Sequence, residues 1–378
     1  VALPPAGYLD AASGQPLNPG AAQALAAAID AGWADPVRLY RDGRRAALLL
    51  EAARESVASR VGARPADLVF TGSAAQALRL GLTGALAARP GPLVISSVEH
   101  SAALAQGDAH AEAGGEVRPI GVDRQARVDA AAFAAALPGA TLACLQAANH
   151  EVGTLQPLAD VVAACEQAGV PLLVDASTVL GRLDPPEGWS ILTGSAHMWG
   201  GPAGVGILCV RRPTRWQPPL PHDERGPELL SVPLALAAAS GLEWADEQRQ
   251  QDAVRARSLT DEIRSVVARD VGDVMLLGDP DERVPYLTAF SCLYVDGESL
   301  VLGLDREGYA ISSGSSCVAD TRRPSHVLQA MGVLTQGNVR VSLPFGVTDD
   351  TVRGFLAMLP GVVRDIRALV QASEGGSR

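Results

Sequence analysis

Hydrophobic and polar positions change period repeatedly along the chain. From Ala46 to Val61 apolar residues recur at helical spacing and the run stops at Gly62, which predicts a helix with a glycine end. Short unbroken apolar runs follow at Leu68–Phe70, Leu93–Ile95, Val117–Ile120, Leu142–Leu145, Leu172–Val174, Ile191–Leu192 and Val205–Val210. Between most of them lie Ala-rich helical stretches, among them Ala75–Ala88, Ala102–Ala113 and Leu158–Gly169. Strands without polar alternation that alternate with helices predict an α/β fold, a mostly parallel, doubly wound sheet covered on both faces. In such a sheet functional groups gather at the carboxyl ends of the strands.

The pattern changes after residue 210. Pro213 to Pro233 is Pro-rich and reads as an irregular connection, and Leu234–Arg269 reads as one long helix. Leu287–Val295, Tyr309–Ser312 and Val339–Leu343 read as strands, Val352–Val370 as a closing amphipathic helix, and residues 373–378 as a frayed end. This organisation predicts a large α/β domain over residues 20–250 and a smaller C-terminal α/β domain made of residues 251–378 together with residues 1–19, which carries the Cys317 loop.

Composition narrows the function classes. The net charge of -11 and an aromatic content of 4% disfavour a nucleic-acid or anionic-membrane partner. No run reaches the roughly 20 apolar residues of a membrane span, and Val1–Pro5 lacks signal-peptide character, so a cytoplasmic location is expected. Cys144, Cys165, Cys209, Cys292 and Cys317 show no CxxC spacing, which argues against a zinc ribbon or a disulfide framework. The first four sit in apolar or mixed segments and read as inert core thiols, whereas Cys317 sits in a polar stretch rich in Gly and Ser. All 31 Lys+Arg residues are arginine, and the 378 residues contain no lysine.

Several motifs occur in order: Tyr8-Leu9-Asp10, Val98-Glu99-His100, Asn149-His150-Glu151-Val152-Gly153, Val174-Asp175-Ala176, Ser195 to Gly206, Ser312 to Cys317, Pro324 to Leu328 and Arg340 to Leu343. Together they resemble the cysteine desulfurases of the class V aminotransferase family, which are fold-type-I pyridoxal-phosphate enzymes. The resemblance spans nearly the whole chain. It implies a homodimer, L-cysteine as substrate, and a sulfur-acceptor protein or an active desulfurase paralogue as partner. It also implies roles: Asp175 for the cofactor's ring nitrogen, His100 for stacking on the ring, and Ser195 and His197 for the phosphate. Arg340 and Asn149 match the substrate side, a guanidinium being suited to grip a carboxylate. Cys317 matches the nucleophile that holds sulfur as a persulfide, and Arg322 and Arg323 lie near enough in sequence to favour its thiolate.

The pattern fails where the chemistry is most demanding. Met198 follows His197 where the family has the lysine that joins the cofactor, and a thioether neither condenses with an aldehyde nor carries a proton. Ala75 replaces a threonine that holds the phosphate, Thr178 a glutamine near the ring, and His150 an asparagine. Leu229–Pro233 reduces an Arg-x-Gly-Thr-Pro pattern, placing Val232 at its threonine. Each lost hydrogen bond to the phosphate costs about 1.5–3 kcal/mol, so pyridoxal phosphate is expected to bind weakly and without a covalent link. The expectation is a desulfurase-like protein of sulfur trafficking that has lost Schiff-base chemistry and acts as sulfur acceptor, docking partner or regulator. Three alternatives remain: an enzyme using non-covalently bound cofactor, a lysine-to-methionine variant of an active enzyme, and a pocket repurposed for a metal or another ligand. Erosion across the whole pocket argues against a single introduced change. No spacing of metal ligands is diagnostic, so no metal is assigned.

Overall fold

The computed structural model describes residues 4–218, 231–313 and 324–375. Two helices, α1 (Pro19–Ile29) and α2 (Arg41–Arg60), precede an alternating series. It runs β1 (Leu68–Thr71), α3 (Ala74–Ala88), β2 (Leu93–Ser96), α4 (Ser101–Glu112), β3 (Val117–Ile120), α5 (Ala130–Ala136) and β4 (Leu142–Gln146), then α6 (Leu158–Ala168), β5 (Leu172–Asp175), β6 (Ile191–Ser195) and β7 (Gly206–Val210). The long helix α7 (Val232–Asp270) leads to β8 (Val274–Leu277), β9 (Leu287–Cys292), α8 (Gly297–Arg306), α9 (His326–Met331), β10 (Asn338–Ser342) and α10 (Asp349–Gly375).

Strands β1 to β7 form one sheet in the order β1-β7-β6-β5-β4-β2-β3. From β3 to β6 neighbours pair in parallel, while β7 runs antiparallel to both β6 and β1. Every residue of β2, β4, β5 and β6 is buried, because helices cover both faces, and this is why these strands read as unbroken apolar runs. Alternate side chains divide between two cores. Val94, Leu145, Val174 and Leu192 pack with Trp189 and Trp199, whereas Leu93, Cys144, Leu173 and Ile191 pack beneath Leu78 and Leu82 of α3. Each such side chain contributes about 1.5–3 kcal/mol of burial.

A second, antiparallel sheet has the order β10-β9-β8. The expected strand over Leu287–Val295 ends at Cys292, and Tyr294 just beyond has a left-handed φ of 59°. Tyr309–Ser312, also expected as a strand, makes only isolated bridges: Ala310 pairs with Tyr8 and Ser312 with Arg340. Its hydrogen bonds are split between the N-terminal segment and β10, so no continuous ladder forms. Helix α7 packs on α1 and α2 at one end and reaches β8 and β9 at the other. Residues 250 and 251, the expected division between domains, lie inside this helix. The contact with α1 is tight at Gly20, where a Cβ would fall 2.7 Å from the Ser240 carbonyl oxygen. Among the described residues no helix is long and apolar enough to cross a membrane.

Candidate functional site

The carboxyl ends of β2, β4, β5 and β6 each deliver one of the motifs. Asp175 closes β5 opposite Gln146 of β4 and Thr193 of β6. Its Oδ1 accepts from the Ser177 amide (3.1 Å), the Ser177 hydroxyl (2.6 Å) and the Thr193 hydroxyl (3.2 Å). Those bonds fix the carboxylate and leave Oδ2 without a partner among the described residues. The Thr178 hydroxyl donates to the Ala148 carbonyl at 3.1 Å.

After β2 the chain turns at His100, the N-cap of α4, whose Nδ1 accepts from the Ala102 amide at 3.1 Å. A neutral His100 therefore carries its proton on Nε2. His150 lies beside it, with ring centroids 5.3 Å apart, and His326 lies 6.4 Å beyond His150. His326 Nε2 meets the Glu99 carbonyl at 2.9 Å and so acts as a donor there. Burial holds His150 well below the usual imidazole range, helped by His100, Arg340 and His326, and lowers His326 and His197 as well. Asn149 is fully buried; its side chain accepts from the Glu151 and Val152 amides and donates to the Val98 carbonyl, so it shapes the turn after β4.

Two buried carboxyl groups, not among the sequence candidates, underlie this cluster. Desolvation raises Glu99 to about 8, against the Gln146 amide that donates to it at 2.9 Å, with Asp175 adding to the rise. Desolvation raises Glu151 to about 7, while the Ser325 hydroxyl, which donates to it, and Arg340 oppose the rise. Only their distant partners reveal these roles, and no local signal in the sequence names them.

The residues expected on the phosphate side come from β1, β6 and the first turn of α3. Ser195 and His197 hydrogen-bond each other, Oγ to Nδ1 at 2.9 Å. Ser73 caps α3 by accepting from the Gln76 amide at 3.1 Å, while the Gln76 side chain takes the Gly72 amide at 2.6 Å. Ala75 adds no hydroxyl to that turn. Met198, 6% exposed, sits in the 3-10 turn Ala196–Trp199 after β6.

Arg340 projects from β10 with a side-chain exposure of 4%. Its Nη2 donates to Asp10 Oδ1 (2.9 Å) and the Ser13 hydroxyl (2.6 Å), and its Nη1 to the His150 carbonyl (3.0 Å). The strand ends thus gather Asp175, His100, His150, Ser195, His197 and Met198, and Arg340 joins them through the His150 carbonyl. Cys317, with Arg322 and Arg323, lies outside the described residues. Cys144, Cys165, Cys209 and Cys292 are free and buried; desolvation pushes Cys165 up to about 12 and Cys292 to about 11, which suits inert thiols. Among the described residues no three His, Cys, Asp or Glu side chains are grouped to hold a metal ion.

Sheet order and site position together define the fold-type-I architecture of pyridoxal-phosphate enzymes. A solved NifS-like protein superposes with a TM-score of 0.88 at 25% identity, over 95% of this chain and 100% of that one. A NifS-like protein from Rickettsia africae gives 0.85 at 20% identity, over 95% and 99%. The aminotransferase class-V family model matches residues 8–225 and 230–355, and the chain belongs to that family. It is 31% identical to an IscS-like cysteine desulfurase of Mycobacterium tuberculosis, over 98% of this chain and 100% of that protein. A cysteine desulfurase of Cereibacter sphaeroides is 33% identical, over 96% and 97%.

Proposed function

We propose that this protein is a sulfur acceptor of the desulfurase type that does no Schiff-base chemistry. Met198 carries the proposal: it stands in the turn after β6, and none of the 378 residues offers an ε-amine to an aldehyde. The residues do not fit a covalently held pyridoxal phosphate. Asp175 suits a protonated ring nitrogen, but Ser195 and His197 are engaged with each other and the Gly72 and Gln76 amides are taken by the helix cap. Any pyridoxal phosphate is therefore held weakly and without a covalent bond.

Sulfur transfer needs no cofactor once sulfur arrives as a persulfide. The Cys317 thiolate attacks the terminal sulfur of a donor persulfide; a new S–S bond forms as the donor's S–S bond breaks, and the donor leaves as a thiolate. The exchange is redox-neutral. An active desulfurase paralogue is the donor class this requires, and a second copy of the chain and a downstream acceptor complete the expected partners. With a sulfur-35-labelled persulfide donor, label should enter the chain and be lost in Cys317→Ala; equal labelling of the variant would contradict the proposal. A second reading, a non-covalently held cofactor acting on L-cysteine, draws support from the free Asp175 Oδ2 beside Thr193. It requires sulfide release from L-cysteine on adding pyridoxal phosphate.

A further inference from the structure

We propose that a second cavity, at the amino ends of β4, β5 and β6, binds a free α-amino acid with an apolar side chain, its carboxylate held by Arg89 and Arg215 and its ammonium by Glu166. The cavity lies at the opposite end of the strands from Asp175 and the His100–His150 pair, and the inference is independent of how sulfur is handled there.

Three observations carry it. The first is the cavity itself, about 350 Å³ in volume, with Thr141, Leu172 and Ser190 in its lining at or just before the first residues of the three strands. Ligand cavities span roughly 300–1,000 Å³, so this one suits a single amino acid better than a nucleotide or a peptide. Val170 and Leu172 give it a buried apolar surface for a side chain. Thr141 is buried as well, and its hydroxyl has no hydrogen-bond partner among the described residues, so it is available to a polar group of the ligand.

The second observation is the charge around the opening. Arg89, Arg215 and Glu166 all line the cavity and are all exposed, and none of them forms an ion pair among the described residues. Opposite charges thus share one cavity without touching each other. A ligand that carries both a carboxylate and an ammonium can bridge the gap, and a guanidinium is suited to grip the carboxylate.

The third observation is the direction of two helices. Ala85 and the C-cap Arg89 bring the end of α3 to the cavity, and Cys165, Glu166 and the C-cap Gly169 bring the end of α6. The carboxyl end of a helix carries partial negative charge. A simple anion such as phosphate therefore meets Glu166 and two negative helix ends, while a simple cation meets two guanidinium groups. A zwitterion meets neither penalty.

Ligand-observed NMR on the full chain tests this with three probes that share one hydrocarbon: L-leucine, L-leucinamide, which lacks the carboxylate, and 4-methylpentanoate, which lacks the ammonium. L-leucine should bind with a Kd on the order of millimolar. It should bind about fivefold more tightly than either analogue, the upper size of an ion pair near the surface. Arg89→Gln combined with Arg215→Gln should erase the preference over L-leucinamide, and Glu166→Gln the preference over 4-methylpentanoate. The three side chains are exposed and unpaired, so these substitutions leave the fold intact. Equal binding of the three probes by the unaltered protein, or no binding of L-leucine at ten times that Kd, would overturn the inference. So would a preference that survives in the charge variants, because L-leucine would then be held elsewhere.

Discussion

Glu99 shows how a single residue couples this site to stability. Its carboxyl is wholly buried and raised to about 8, far above the value it has in an unfolded chain. An acid raised on folding costs nothing below its unfolded pKa, where both states are protonated. As pH rises from about 4.5 towards 8, the unfolded chain ionises first and folding stability is lost, the penalty being complete above 8. Glu151, raised to about 7, acts in the same direction over a narrower window. Glu99→Gln should therefore flatten the fall in stability between pH 5 and 8 by a few kcal/mol, on the order of the shift converted at about 1.4 kcal/mol per pH unit. Urea titrations of both proteins across that range give the comparison; an unchanged slope would mean Glu99 is ionised in the folded state. That His100, Asp175, Ser195 and His197 lie at strand ends was legible in the sequence because each sits in a short motif beside an apolar run. Glu99, Glu151 and Asp10 lie in the same motifs, yet their roles depend on Gln146, Ser325 and Arg340, partners that only the fold brings near.

At the scale of the element, the first turn of α3 and the turn after β6 decide what the pocket holds. The Ser73–Gln76 cap satisfies the Gln76 amide of the first turn and the Gly72 amide just before it. Restoring an amine at position 198 leaves that turn as it is, and Ala75 still supplies no hydroxyl. Met198→Lys alone should therefore bind pyridoxal phosphate about ten- to a hundredfold more weakly than Met198→Lys combined with Ala75→Thr, since one hydrogen bond to a charged group is worth about 1.5–3 kcal/mol. Equal affinity in a fluorescence titration would mean the phosphate is held without residue 75. Central strands were readable because burial on both faces removes polar alternation. β8 escaped because Val274–Leu277 is a four-residue strand only partly buried, directly behind a long helix. α1 escaped because an Ala-rich segment with a proline start carries little periodicity, and its packing against α7 supplies what its own pattern lacks.

For the molecule as a whole, the order of motifs was enough to place the chain in its family, while the use proposed for it rests on the absence of lysine from the sequence. The parallel sheet, the helices on both faces and the second, antiparallel sheet are all present, so the scaffold keeps its shape without the lysine. Burial of the strands accounts for this, helped by internal hydrogen bonds to the terminal nitrogens of Arg340, to Asp175 Oδ1 and to Ser195. The most direct test is the visible spectrum of the purified protein with and without added pyridoxal phosphate, read together with sulfide release from L-cysteine. The purified protein should be colourless as isolated, add no absorbance beyond that of free pyridoxal phosphate when the cofactor is supplied, and release no sulfide in either condition. A yellow protein that releases sulfide from L-cysteine as isolated would contradict the account.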